Sequence, residues 1–207
     1  MSIYSVHPSI AYQQAIIRNL KETTGKTIEE WEKLLRQEAW KDAKSIMQYL
    51  INEYHLGRTK ASLISDYALK IQLEDISESH YLKMAPLYVE KMYFKKESIF
   101  QIHQSIINYI RSLNDETKIC PCRTLVPLYR HHVYAQLKPT TKTRIDFGFA
   151  LKKYTKELPS RLEPTGGLEK GDRITHRIRI EKLEDFDSEV RQWIKISYDL
   201  DQKNYYK

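Results

Sequence analysis

The chain has 207 residues, of which 41% are apolar, and it carries a formal net charge of +7 at pH 7. This length and composition predict a globular protein with one large or two small domains. We expect no membrane segment, because no apolar run approaches the roughly 18 residues of a membrane span. We also expect a cytoplasmic location, because no signal-peptide pattern is present and Cys120 and Cys122 are too close together to cross-link a secreted fold.

Residues 1–75 predict a module of four short helices. Ser9 is a candidate N-cap for a first helix over residues 10–23. Thr27 followed by Glu30 predicts a capping box, in which each side chain binds a free backbone amide of the other residue. A second helix therefore begins directly after Thr27.

The third predicted helix covers residues 41–54, where apolar side chains recur at helical spacing. Gly57 is expected to end it, because glycine adopts the left-handed conformation most easily. Thr59 is then a candidate N-cap for the fourth helix.

Residues 76–85 are polar and predict a linker, with Pro86 as the first residue of a new helix. We therefore expect a second domain over residues 86–207. Four segments in it have strand patterns, namely Lys118–Tyr129 (broken at Pro121 or Pro127), His132–Lys138, Thr143–Phe149 and Arg173–Ile180. An amphipathic helix over Leu183–Leu200 follows. The predicted fold class is α+β, an antiparallel meander packed with two helices before it and one after it.

The last of these strands has two chemically opposite faces. Strict alternation points Ile174, His176, Ile178 and Ile180 into the core, and it places Arg173, Thr175, Arg177 and Arg179 on the other face. Residues on one face repeat about every 7 Å. The arginine guanidinium binds phosphate or carboxylate with two parallel hydrogen bonds, so this row favours an anionic ligand.

A second strand extends the polar surface if it lies beside the arginine strand. On Thr143–Phe149 the apolar residues alternate, and Arg144 and Asp146 are left for the polar face, where we expect Asp146 to orient an arginine. The predicted ligand-binding residues are Lys138, Lys142, Arg144, Asp146, Arg173, Arg177 and Arg179. The alternative is an ordinary solvated sheet face with cross-strand Arg–Asp pairs.

Charge is concentrated in the second half of the chain. Residues 1–80 carry 10 Lys and Arg against 11 Asp and Glu, whereas residues 81–207 carry 24 against 16. We therefore expect a polyanion partner, with nucleic acid first, and Tyr129 and Tyr134 are the nearest rings for base stacking. A protein-interaction adaptor and a binder of, or enzyme on, a small phosphorylated metabolite are the alternatives.

Other patterns favour less specific functions. Tyr54-His55-Leu56-Gly57 resembles the turn of a DNA-binding helix-turn-helix, but the following helix has few cations. Cys120 and Cys122 with His131 and His132 offer zinc-ligand chemistry at unusual spacing. We identify no catalytic residue, cofactor or metal site, and the pattern places His176 in the core. The sequence therefore favours a binding protein over an enzyme, and it does not predict the oligomeric state.

Two stretches resemble known families. Thr24-Gly25-Lys26-Thr27-Ile28-Glu29-Glu30-Trp31 with Leu56-Gly57-Arg58-Thr59-Lys60-Ala61 is similar to DUF4287, a small helical bacterial domain of unknown function. Lys142-Thr143-Arg144-Ile145-Asp146-Phe147-Gly148 with Gly171-Asp172-Arg173-Ile174-Thr175-His176 resembles DUF5655, a second uncharacterised family that is sometimes labelled a predicted transport protein. The resemblance implies a two-domain architecture and no specific activity. A transport function finds no support in a chain without a predicted membrane span.

Overall fold

The computed structural model describes residues 2–71, 76–113 and 116–202. The chain divides into two compact units, one of residues 6–82 and one of residues 1–5 with 83–207. No helix within the described ranges is long and apolar enough to cross a membrane.

The unit of residues 6–82 contains five complete helices among its described residues. They are α1 (Pro8–Arg18), α2 (Leu20–Thr24), α3 (Ile28–Leu35), α4 (Ala43–Tyr54) and α5 (Arg58–Ala68). Their apolar sides share one core, in which Leu20, Leu50 and Ile64 are completely buried. The Trp31 indole also lies in this core and donates a hydrogen bond to Thr24 Oγ1 at 3.0 Å, so its polar atom is satisfied.

The start of α3 confirms the predicted capping box. Glu30 N donates to Thr27 Oγ1, and Thr27 N donates to Glu30 Oε2. The prediction that Ser9 is the N-cap of α1 is wrong. His7 is the N-cap, because its Nδ1 accepts a hydrogen bond from the Ser9 backbone N–H and Pro8 is the first helical residue. The predicted helix over residues 10–23 is interrupted at Asn19, which gives five helices instead of four.

The turn between α4 and α5 also differs from the prediction. His55, with φ of 52°, is the left-handed residue that ends α4. Gly57, with φ of −63°, is extended and forms the N-cap of α5 in place of Thr59. Histidine adopts the left-handed conformation more readily than β-branched residues do, so the turn closes two residues earlier than Gly57.

Helix α6 (Glu78–Tyr93) includes residues 78–85, which the sequence assigns to a linker. The prediction that Pro86 begins a helix is wrong, since it lies inside α6. A proline there lacks the N–H that would bind the Leu82 carbonyl. The division between the two units falls between Leu82 and Lys83, whereas the predicted module end at residue 75 lies outside the described residues.

The second unit confirms the α+β class. After α7 (Glu97–Leu113), its described residues form six strands, β1 (Lys118–Ile119), β2 (Val126–Tyr129), β3 (Val133–Lys138), β4 (Ile145–Phe149), β5 (Glu163–Pro164) and β6 (His176–Ile180). They form one antiparallel sheet in the order β1-β2-β3-β4-β6-β5. The predicted segment Lys118–Tyr129 is broken over residues 120–125, and Pro127 lies within β2.

Helix α8 (Ser188–Leu200) covers one face of the sheet. It buries Val190, Trp193 and Ile194 on the side where β4 buries Phe147 and Phe149. Residues 183–185 form a separate 3-10 turn, so the helix begins five residues later than predicted. The polar face of the sheet lies opposite α8.

Strand β3 changes sides near its start. Leu128 pairs with Ala135 but Tyr129 pairs with Val133, so one extra residue bulges out of β3. The bulge places Val133 on the polar face, whereas Tyr134 packs edge-on against Tyr198 of α8. A β-bulge has this effect because it shifts the two-residue alternation by one.

A candidate anion-binding cleft on the sheet

The polar face of β3, β4 and β6 carries a cleft of about 500 Å³. The sheet contributes Val133, Gln136, Lys138, Asp146, Gly148 and Arg177, and the flanking segments contribute Thr140, Thr165, Asp172, Arg173 and Ile174. A volume of this size lies within the range of small-ligand sites. Four of the seven predicted ligand-binding residues, Lys138, Asp146, Arg173 and Arg177, therefore line one concave site.

Strand pairing explains how these residues meet. Strands β4 and β6 are neighbours, and Asp146 lies opposite Lys138 on one side and Arg179 on the other. Gly148, two residues after Asp146 on β4, pairs with Gln136 of β3 on one side and with Arg177 of β6 on the other. The floor of the cleft therefore has one charged row and one row centred on glycine.

Asp146 is the buried charge of the cleft, with a side chain that is 8% exposed. Its Oδ2 accepts hydrogen bonds from Arg177 Nη1 at 2.9 Å and from Thr140 Oγ1 at 2.8 Å. Arg144 Nε lies 2.9 Å from Asp146 Oδ1 without the alignment of a hydrogen bond. Asp146 thus orients two arginines, and its charge is offset by both of them.

Glu163 on β5 was not among the predicted site residues. Its Oε2 lies 2.9 Å from Arg179 Nη2 and 3.4 Å from both Arg177 Nη2 and Arg177 Nε. Because Arg177 is also bound to Asp146, its guanidinium is occupied by two carboxylates. A strand of two residues has no periodicity, so no sequence pattern indicated that Glu163 joins the sheet.

The predicted alternation fails just before β6. Thr175 is buried, and its Oγ1 accepts a hydrogen bond from Leu151 N at 3.2 Å. Ile174 instead lies in the cleft above Gly148. The predicted sides of Ile174 and Thr175 are therefore wrong, because regular pairing begins only at His176.

The cations of the cleft differ in how strongly they are paired. Lys138 is exposed and forms no ion pair with another described residue. The Arg173 side chain is 43% exposed, and its Nη1 lies 3.7 Å from Asp201 Oδ1. Lys142 lies in the turn after β3 and outside the cleft lining. Lys138 and Arg173 are therefore the cations best placed to meet a ligand.

Asp201 lies at one end of the cleft and binds His131 and His132, two of the residues that the sequence offered as zinc ligands. Its buried Oδ2 accepts hydrogen bonds from His131 N and His132 N, and its Oδ1 contacts His132 Nδ1 at 2.9 Å. Burial raises the pKa of the Cys120 thiol to about 12, which disfavours the thiolate that zinc binds. Within the described residues, no group of three or more His, Cys, Asp or Glu is arranged to hold a metal ion.

The predicted aromatic neighbours lie away from the cleft. Tyr134 is 1% exposed in the core, and burial raises the pKa of Tyr129 to about 12. Neither ring lines the cleft, so neither is positioned to stack on a base there. His176 is half-buried instead of lying in the core, its Nδ1 is 3.0 Å from Thr175 Oγ1, and burial lowers its pKa.

Two family models match the chain. Residues 89–201, which include the whole sheet and the cleft, match a domain of unknown function, DUF5655. The chain belongs to the DUF5655 family. Residues 13–70 match a second domain of unknown function, DUF4287, so both resemblances predicted from the sequence are confirmed in the predicted order. Neither the curated proteins nor the solved structures include a match to this DUF5655 chain.

Proposed function

We propose that the cleft binds a small anionic ligand by non-covalent contacts. Its concave shape and its volume of about 500 Å³ suit a small molecule, and a few convergent polar groups are typical of such sites. Lys138 and Arg173 supply positive charge around a floor whose own carboxylate, Asp146, is already paired with arginines. An exposed carboxylate, Asp172, also lines the cleft.

The observation that carries this proposal is the state of Lys138. This lysine lines the cleft and has no carboxylate partner among the described residues, whereas Arg177 and Arg179 both contact Glu163. An unpaired ammonium in a concave site gains a charge-assisted hydrogen bond when an anion enters.

Isothermal titration calorimetry with inorganic phosphate at low ionic strength tests the proposal. We expect saturable binding by the unmodified chain, and affinity lower by about tenfold for Lys138→Met, because one charge-assisted contact is lost. Lys142→Met is the matched control, since that lysine lies outside the cleft lining, and it should bind as the unmodified chain does. Equal affinity in all three proteins would contradict the proposal.

Nucleic acid is the second candidate, favoured by cations that lie outside the cleft. Lys142 is exposed, and the Arg179 side chain is 47% exposed. Among the described residues that line the cleft, however, none is aromatic, and the Glu163 carboxylate offsets the charge of Arg177 and Arg179. We therefore propose nucleic acid only as the second candidate ligand, after a small anion.

Fluorescence anisotropy with labelled single- and double-stranded DNA and RNA separates these candidates. A nucleic-acid site predicts affinity that falls steeply as salt rises, and Lys142→Met should weaken it. Binding that is undetectable at low salt, or unaffected by salt, would remove nucleic acid from consideration.

We further propose that the protein resides in a reducing compartment such as the cytoplasm. Cys120 and Cys122 are both thiols, and thiols persist where glutathione keeps them reduced. Alkylation of Cys122 in rapidly lysed cells should label most of the protein, whereas a blocked thiol would argue for an oxidising location.

A further inference from the structure

The two cations best placed to meet a ligand lie at opposite ends of the cleft. Lys138 is the last residue of β3. Arg173 contacts Asp201, which also binds His132 N immediately before β3 begins. The cleft therefore extends along β3, from one cationic end to the other.

Strand geometry gives the distance between these ends. The five steps from Val133 to Lys138 correspond to about 15 Å at the rise of a β-strand. A cleft of about 500 Å³ whose cationic ends lie this far apart suits one extended small molecule.

The middle of the cleft carries little available charge. Gln136 and Gly148 form its floor, and Ile174 lies above Gly148. Arg177 also lies here, but its guanidinium is held by Asp146 and Glu163. The middle therefore favours an uncharged segment with some polar atoms, for which the Gln136 amide is a partner.

We propose that the ligand is an extended molecule with an anionic group at each end and an uncharged segment between them. This inference rests on the proposed function, because it names the class of anion that the same cleft binds. One anionic group meets Lys138 and the other meets Arg173. Two linked anions gain affinity because binding of the first holds the second near its own site.

Calorimetry with a series of alkane-α,ω-bisphosphonates tests this geometry, with methylphosphonate as the single-ended probe. We expect affinity to pass through a maximum as the number of methylene groups increases, and to exceed that of methylphosphonate by about tenfold or more at the optimum. The optimal chain should span most of the cleft.

Variants at the two ends complete the test. Lys138→Met and Arg173→Met should each abolish the length preference, so that every bisphosphonate binds about as methylphosphonate does. Arg173→Lys keeps a cation at that end and should retain the maximum at an altered chain length, which distinguishes a lost contact from a misfolded protein. Lys142→Met should leave the whole series unchanged.

The possible failures are distinguishable. Binding of methylphosphonate without any length dependence would overturn the extended ligand and leave the anion site in place. No binding of either probe would contradict the proposed function as well. A length preference that survives both Lys138→Met and Arg173→Met would show that other residues hold the two ends, and it would overturn the inference.

Discussion

Gly148 and Ile174 lie so close together that a Cβ atom added to Gly148 would be 2.6 Å from Ile174 Cγ2. Both residues line the cleft. The missing side chain of Gly148 allows Ile174 to lie against the sheet, and this contact sets the depth of the middle of the cleft. Any side chain at position 148 therefore displaces Ile174 and alters the shape of the cleft.

Gly148→Ala should lower the free energy of unfolding by about 1–3 kcal/mol, the usual cost of overpacking. Urea denaturation monitored by tryptophan fluorescence measures this change. The double variant Gly148→Ala/Ile174→Ala should be about as stable as Ile174→Ala alone, because the clashing atom is removed. Equal stability of Gly148→Ala and the unmodified chain would show that the contact is easily relieved.

Asp146→Asn should be destabilising by about 3 kcal/mol, since it removes the carboxylate beside Arg144 in a partly buried site and leaves Arg177 with Glu163 alone. Urea denaturation at neutral pH gives the comparison. Asp172→Asn is the control, because Asp172 is exposed on the rim of the same cleft, and its effect should stay within about 0.5 kcal/mol. If both variants cost equally little, the Asp146 network is not a stabilising feature.

The buried side chain of His103 predicts that the fold loses stability at acidic pH. It is buried between α6 and α7, with Nδ1 3.1 Å from Tyr93 Oη, and burial lowers its pKa from 6.5 to about 4. The unfolded chain therefore binds a proton at higher pH than the folded chain does. The stability of the fold should fall as pH drops from 6.5 towards 4, by roughly 3 kcal/mol in total from this residue.

Denaturation curves at a series of pH values test this expectation. His103→Gln should reduce the slope of stability against pH in that interval, whatever its effect at neutral pH. His80→Gln, at an exposed position, should leave the slope unchanged. A His103→Gln protein that keeps the full slope would assign the acid sensitivity to other groups.

Asp201→Ala should lower the free energy of unfolding by about 2 kcal/mol or more, because it leaves the backbone amides of His131 and His132 without their acceptor. Differential scanning calorimetry checks this as a decrease in Tm. Asp199→Ala is a fair comparison, since Asp199 is exposed two residues earlier on α8, and its Tm should barely move. Similar decreases for both would point to a general effect at the end of α8.

Local patterns predicted much of the fold correctly. The Thr27 and Glu30 pair identified the start of α3, because a capping box needs only residues of one turn. Alternation identified Ile178 and Ile180 as core residues of β6, and both are completely buried. These predictions hold because the physical cause lies within a few residues of the chain.

The errors arise where distant contacts decide the structure. Ile174 reverses its predicted side because it packs on Gly148, and Tyr134 turns towards α8 because of the bulge in β3. Glu163 joins the sheet through a strand of two residues. None of these features has a signature in the neighbouring sequence, so the arrangement of the cleft needed three-dimensional information.

The second unit is assembled from two separate pieces of the chain. Residues 1–5 belong to it together with residues 83–207, and Ser5 N donates a hydrogen bond at 2.9 Å to the carbonyl oxygen of Ile119, the last residue of β1. A fragment that begins at residue 83 would lose this bond and would also start in the middle of α6. The chain therefore contributes to the unit that contains the DUF5655 match twice, before residue 6 and again after residue 82.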